Sequence, residues 1–137
     1  MKIVEQVNIT VPNVPSSLAK VGDKLRSADV NIEAITCTEG PTHTVIHLIV
    51  NDSETALLVL KDLGPVSVRE VLRFEMHNKP GGIASIGRAC AAQSINIRNI
   101  YATSSGKEAT VYLSVENVTK AFELLKEWEK SAGKLSV

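Results

Sequence analysis

Two short stretches hold the residues that could do chemistry. Asn78-Lys79-Pro80-Gly81-Gly82-Ile83 and Asn13-Val14-Pro15-Ser16-Ser17-Leu18 share one form. An apolar run reaches an Asn, a Pro follows two residues on, and a helical pattern opens on small residues. A chain that turns from strand into helix leaves its first N–H groups unpaired and aimed at one place. With only Gly or Ser side chains there, a small anionic group such as a carboxylate can reach them. A corner of this kind binds; it does not catalyse. Asn13 and Asn78 also have a plainer use, as Asx-turns that close the bend before the helix.

No other constellation competes with these corners. His43 and His47 stand four apart on an expected strand, a spacing that does not bring two imidazoles together. No carboxylate pair flanks a His at ligand spacing, so no metal centre is expected. Ser16 and Ser17 lie in no Gly-x-Ser-x-Gly elbow, and no Walker or Rossmann phosphate loop is present. The two thiols, Cys37 and Cys90, lack metal-type spacing and read as small buried residues of a reducing compartment. The expectation is a protein that is not an enzyme and needs no cofactor.

The corners recur because the chain repeats. Shifted by 65 residues, Glu5–Lys61 falls on Glu70–Lys126 without a gap, and fourteen of the 57 pairs are identical. Unrelated sequences of ordinary composition would match at about one pair in fifteen. Each copy opens with period-2 apolar residues, Val7, Ile9, Val11 and Leu72, Phe74, Met76, which predict a strand with one buried face. Leu18, Val21, Gly22, Leu25 and Ile83, Ile86, Gly87, Cys90 then follow at i, i+3, i+4, i+7, the stripe of a helix. A Gly on that stripe weakens the helix by about 1 kcal/mol against Ala. Close approach of helix to sheet would explain both glycines.

Second strands are expected at Val30–Thr38 and Ile95–Thr103, with the alternation slipping near Ile35 and Ile100. Third strands follow, with Ile46, Leu48, Val50 and Val111, Leu113, Val115 on one side. Asp52 and Asn117 then precede second helical stripes as N-caps. Copy one closes at Val66–Val71 and copy two at Lys134–Val137. The order is β-α-β-β-α-β twice: an α+β chain of two tandem ferredoxin-like units, over residues 1–65 and 66–137. Each would be an antiparallel sheet with both helices on one face. Units of this size are marginal alone, and their sheet edges need covering. At least a homodimer is therefore expected, the more so because Val45 and Ile49 would leave apolar surface on the open sheet face.

The same strand order serves RNA-binding domains, which stack bases on aromatic residues of the first and third strands. The outward positions here are Gln6, Asn8, Thr10, Arg73 and Glu75, then Val45, His47, Ile49, Thr110, Tyr112 and Ser114. Only Tyr112 could stack a base. Lys+Arg and Asp+Glu balance at 15 each, so no global field draws the chain to nucleic acid or to an anionic membrane. No apolar run spans a bilayer, and Met1-Lys2-Ile3-Val4-Glu5 meets an acidic residue too soon for a secretory leader to be expected there. These features point to the cytoplasm.

Asn78-Lys79-Pro80-Gly81-Gly82-Ile83-Ala84 and the later Ser94-Ile95-Asn96-Ile97 resemble the signature of the ACT domain family, small regulatory modules that bind amino acids. Copy one resembles it through Asn13-Val14-Pro15-Ser16-Ser17-Leu18 and Val30-Asn31-Ile32. The resemblance implies two ferredoxin-like ACT domains that bind an amino acid or similar small effector between neighbouring modules, with a regulated enzyme as partner. By motif match the ligand-binding residues are Asn78, Gly81, Gly82, Ile83 and Asn96, with Asn13, Ser16, Ser17, Leu18 and Asn31 in copy one. A His that some members carry two residues before the loop Asn is replaced here by Met76 and Val11. Ser16 stands where the motif has Gly, which narrows backbone access in copy one. The alternative is a structural module with degenerate ligand sites that regulates a partner through ACT–ACT pairing.

Overall fold

The computed structural model describes residues 1–132 of the 137. It has an α+β fold with six antiparallel strands and four helices, divided into two compact units. The first unit is Glu5–Arg69; the second is Met1–Val4 together with the chain from Glu70 on. No helix among the described residues is long and apolar enough to cross a membrane.

In the first unit β1 (Lys2–Pro12), α1 (Ser17–Ser27), β2 (Ile32–Glu39), β3 (His43–Val50), α2 (Ser53–Leu60) and the start of β4 (Val66–His77) follow in order. The strands lie in the order β2-β3-β1-β4. The pairing of β1 with β3 sets Ile9 opposite Ile46. Val7, Ile9, Val11, Ile46 and Leu48 face Val21 and Leu25 of α1 and Ala56 and Leu60 of α2, so both helices cover one face. Asp52 caps α2, its carboxylate accepting from Thr55 N at 3.1 Å and from Thr55 Oγ1 at 2.6 Å. Where α2 returns to the sheet, Thr10 N donates to Pro65 O at 3.0 Å. A Cβ on Gly64 there would overlap the carbonyl oxygen of Thr10.

In the second unit β4 leads to α3 (Gly82–Ala92), β5 (Ile97–Ser105), β6 (Glu108–Val115) and α4 (Val118–Ala132). Leu72, Phe74, Val111 and Leu113 pack with Ile86, Cys90, Ala121 and Leu125. Asn117 Oδ1 accepts from Lys120 N at 3.0 Å, capping α4 as Asp52 caps α2. Beside β4 the strand order places the start of β1, and Met1 packs on this unit's core. The expected closing strand at 134–137 lies outside the described residues.

Five local expectations are corrected. The second strands start two residues late because the preceding helices end in left-handed turns. Asp29 and Ser94 have φ of 58° and 55°; Val30 N donates to Leu25 O at 2.9 Å and Ile95 N to Cys90 O at 2.8 Å. Val30 and Ile95 are thus the apolar residues of Schellman caps. The register slips earlier than expected, between Ile32 and Ala34 and between Ile97 and Asn99, where the chain is still leaving the cap.

The outward face is not bare. Ile49 is only 3% exposed. Tyr112 is buried too, stacked on Tyr101 with ring centroids 5.2 Å apart and with the Arg73 guanidinium 6.0 Å from its centroid. Beside Ile49, Asn8 Oδ1 accepts from Gln6 Nε2 at 2.8 Å and from His47 Nδ1 at 2.6 Å. Burial, helped by the charge of Arg69, holds the His47 pKa below its ordinary value. Of the two thiols Cys90 is buried but Cys37 is exposed, because its strand is the outer one of its unit.

Gly22 and Gly87 do not mark close approach: a Cβ on either would meet no atom within 4 Å. Alanine at each position should therefore stabilise the protein by about 0.5–1 kcal/mol through helix propensity alone. A denaturant titration of Gly87→Ala checks this, and a lower midpoint would show that the bare helix face serves another purpose.

Candidate functional site

Each corner is tied to the hairpin across from it. Asn13 N donates to Thr42 O at 3.0 Å and Asn13 Nδ2 to Gly40 O at 3.0 Å. Asn78 repeats this, its N donating to Lys107 O at 2.8 Å and its Nδ2 to Gly106 O at 3.0 Å. The amide nitrogen is thus engaged by the turn, which leaves Oδ1 as the group a ligand could use. Neither Asn caps its helix; the N-cap residues are Ser16 and Gly81, and neither makes a side-chain capping bond.

The clamp opens a cleft between the helix start and the sheet, and the molecule builds it twice. The second-unit cleft has a volume of about 210 Å³ and includes Met76, Asn78, Gly82, Ile83, Ala102, Ala109 and Val111 in its lining. The first-unit cleft, about 190 Å³, is lined at the matching positions by Val11, Asn13, Ser17, Leu18, Cys37, Thr44 and Ile46. Leu18 and Ile83, expected within the buried helical stripe, are each 53% exposed. They stand in the first helical turn, at the mouths of the clefts.

The two corners differ in backbone. Gly81 has φ of 94°, in the left-handed region, whereas Ser16 has φ of −84°. In the first corner Ser17 is already engaged, its N donating to Val14 O at 3.1 Å and its Oγ to Pro12 O at 2.6 Å. In the second corner the first intrahelical bond runs from Ser85 N to Gly81 O at 3.0 Å. The amides of Gly82, Ile83 and Ala84 precede it and so have no partner within the helix, and a turn at Pro80 and Gly81 leads into them. Packing also alternates. A Cβ on Gly82 would overlap Met76 Cε. Ser17, which has that Cβ, shares its cleft with the shorter Val11 instead.

Asn31 and Asn96 do not join their own corners. Helices α1 and α3 separate them, each 11 residues and thus about 16 Å long. Asn96 lies six residues before Ala102, about 20 Å along an extended chain. Both residues tie the start of one strand to the end of the next. Asn31 N donates to Asn51 Oδ1 at 2.8 Å, and Asn96 Nδ2 donates to Glu116 Oε1 at 3.2 Å. A helix that runs back along its sheet must deliver the next strand to the opposite end, so convergence within one unit fails on topology. The cleft floor, by contrast, went unnoticed in the sequence. Ala102 and Ala109 are its signal, since small residues on the inward side of adjacent strands leave a hollow.

Known proteins resemble this chain in fold and in one half of its sequence. Residues 71–133 match the ACT domain family, a stretch that contains the second corner and its cleft. No curated protein matches the chain. A crystal structure of a protein from Bacteroides thetaiotaomicron is similar at 26% identity and a TM-score of 0.86, over 93% of this chain and 89% of that one. The ligand-free regulatory subunit of aspartate kinase from Thermus thermophilus is similar at 18% identity and a TM-score of 0.66, over 93% of each chain. A structure of aspartokinase alpha and beta subunits gives 18% identity and a TM-score of 0.64, over 90% of each. The stretch similar to the ACT domain family thus spans 63 of the 137 residues.

Proposed function

We propose that the chain is a cytoplasmic regulatory protein of two ACT domains, residues 1–65 and 66–137, that binds a free amino acid or similar small effector. The observation that carries this reading is the second corner: left-handed Gly81 at the start of α3 and Asn78 at the edge of a cleft, both inside the ACT match. A volume of about 210 Å³ suits one amino acid rather than a nucleotide, since drug-sized ligands occupy about 300–1,000 Å³. Gly81, Gly82, Ile83 and Asn78 form the stronger site. Asn13, Ser16, Ser17 and Leu18 form a weaker copy whose donors are partly engaged. Asn31 and Asn96 lie away from the clefts of their own units, and the reading includes a homodimer that pairs neighbouring modules. Its effect is regulatory rather than catalytic. Fold neighbours that are regulatory subunits of aspartate kinase fit a chain that acts on a separate enzyme.

A thermal-shift screen of the twenty amino acids tests the reading. A ligand at 100 times its Kd adds about 2.7 kcal/mol, which should raise the melting temperature by several degrees in this size class. If no amino acid at millimolar concentration shifts the transition and calorimetry is also silent, the sensor reading falls. The pairing module without ligand then replaces it.

A further inference from the structure

We infer that the second-unit cleft selects an amino acid with an apolar side chain of three or four heavy atoms. The inference deepens the reading above and rests on it. On the helix-facing side of the sheet, Ala109 stands opposite Met76 and Ala102 opposite Val111. Two methyl side chains between longer neighbours leave a depression beside the start of α3, and Met76, Val111 and Ile83 wall it. Half-exposed Ile83 overhangs this hollow, and an apolar group seated beneath it would remove apolar surface from water on both sides.

The polar residues of the lining are His77, Asn78, Lys79, Thr103 and Ser104, and between Met76, Ala102, Ala109 and Val111 the floor is apolar. A zwitterion would leave its charged groups at those polar residues, near the amides of Gly82 and Ile83, with its side chain lying inward. A charged or hydroxylated side chain would have to desolvate against methyl groups with nothing to bond. The first-unit cleft lacks this floor, because Cys37 and Thr44 replace the two alanines.

Calorimetry of the full chain against valine, leucine, isoleucine, methionine, serine, aspartate and lysine decides the matter. One of the four apolar amino acids should bind at least tenfold more tightly than serine, aspartate and lysine. Ala109→Leu, which fills the hollow, should weaken that binding at least tenfold. If this variant does not fold, Ala102→Val makes a smaller intrusion and should do the same at an unchanged melting temperature. Tightest binding of serine, aspartate or lysine would overturn the selectivity and leave amino-acid sensing standing. So would an Ala102→Val protein that binds within twofold of the parent. If none of the seven binds and the twenty-member screen is also blank, the sensor reading itself is overturned.

Discussion

Gly64→Ala should cost about 3 kcal/mol of stability, the upper part of the range for overpacking a filled site, and lower the melting temperature by roughly 10 °C. The residue looks unremarkable in sequence, a Gly-Pro step between a helix and a strand. In the structure its Cα presses on β1, and an added methyl would occupy the place of the Thr10 carbonyl oxygen. A backbone oxygen cannot rotate away as a side chain can. Thr10 is held besides by its own N–H, bonded to Pro65 O at 3.0 Å. The clash must therefore be relieved by moving the strand that centres the first core. Thermal and urea unfolding of the variant check this. A melting temperature within 2 °C of the parent would mean that the α2–β4 connection yields, and that the contact is not a constraint.

Gly81→Val should weaken amino-acid binding at the second corner by at least a hundredfold. Valine is branched at Cβ and tolerates the left-handed region poorly, at a cost of about 1–2 kcal/mol. The chain can relieve that strain by turning residue 81 toward the right-handed conformation of Ser16, at φ of −84°. The second corner would then resemble the first, where residue 16 is right-handed and Ser17 N bonds Val14 O. Even without that turn, the isopropyl group would stand over the donors. Calorimetry with the best ligand from the screen reads the loss. Affinity within threefold of the parent would show that the first-turn amides do not hold the ligand.

Much of this molecule was legible in its sequence, and the illegible parts share a cause. Period-2 and period-3.6 apolar spacing located the six strands and four helices of the described residues, since each element buries one face against its own unit. The corners were legible because Asn, Pro and Gly restrict the backbone locally. Asn31 and Asn96 were placed with the corners by motif match, but which end of a helix a residue occupies follows from topology. Gly22, Gly64 and Gly87 are alike as letters. Only the atoms opposite each one distinguish Gly64, which has a carbonyl in contact, from the other two, which face open space. The hollow over Ala102 and Ala109 escaped for the same reason: a missing side chain has meaning only against its cross-strand neighbours.

The placing of Met1–Val4 with the second unit has a consequence for the order of events during synthesis. Met1–Val4 leave the ribosome well before the strands from Glu70 onward, with which they form one unit. The stretch from Glu5 can fold as soon as Arg69 has emerged, and in doing so it holds the beginning of β1 extended and waiting. When β4 continues past Glu70, one of its edges meets a strand already in place. The interval during which a nascent edge lies open to a neighbouring chain is shortened on that side. The early half of the protein thus acts as a template for the late half.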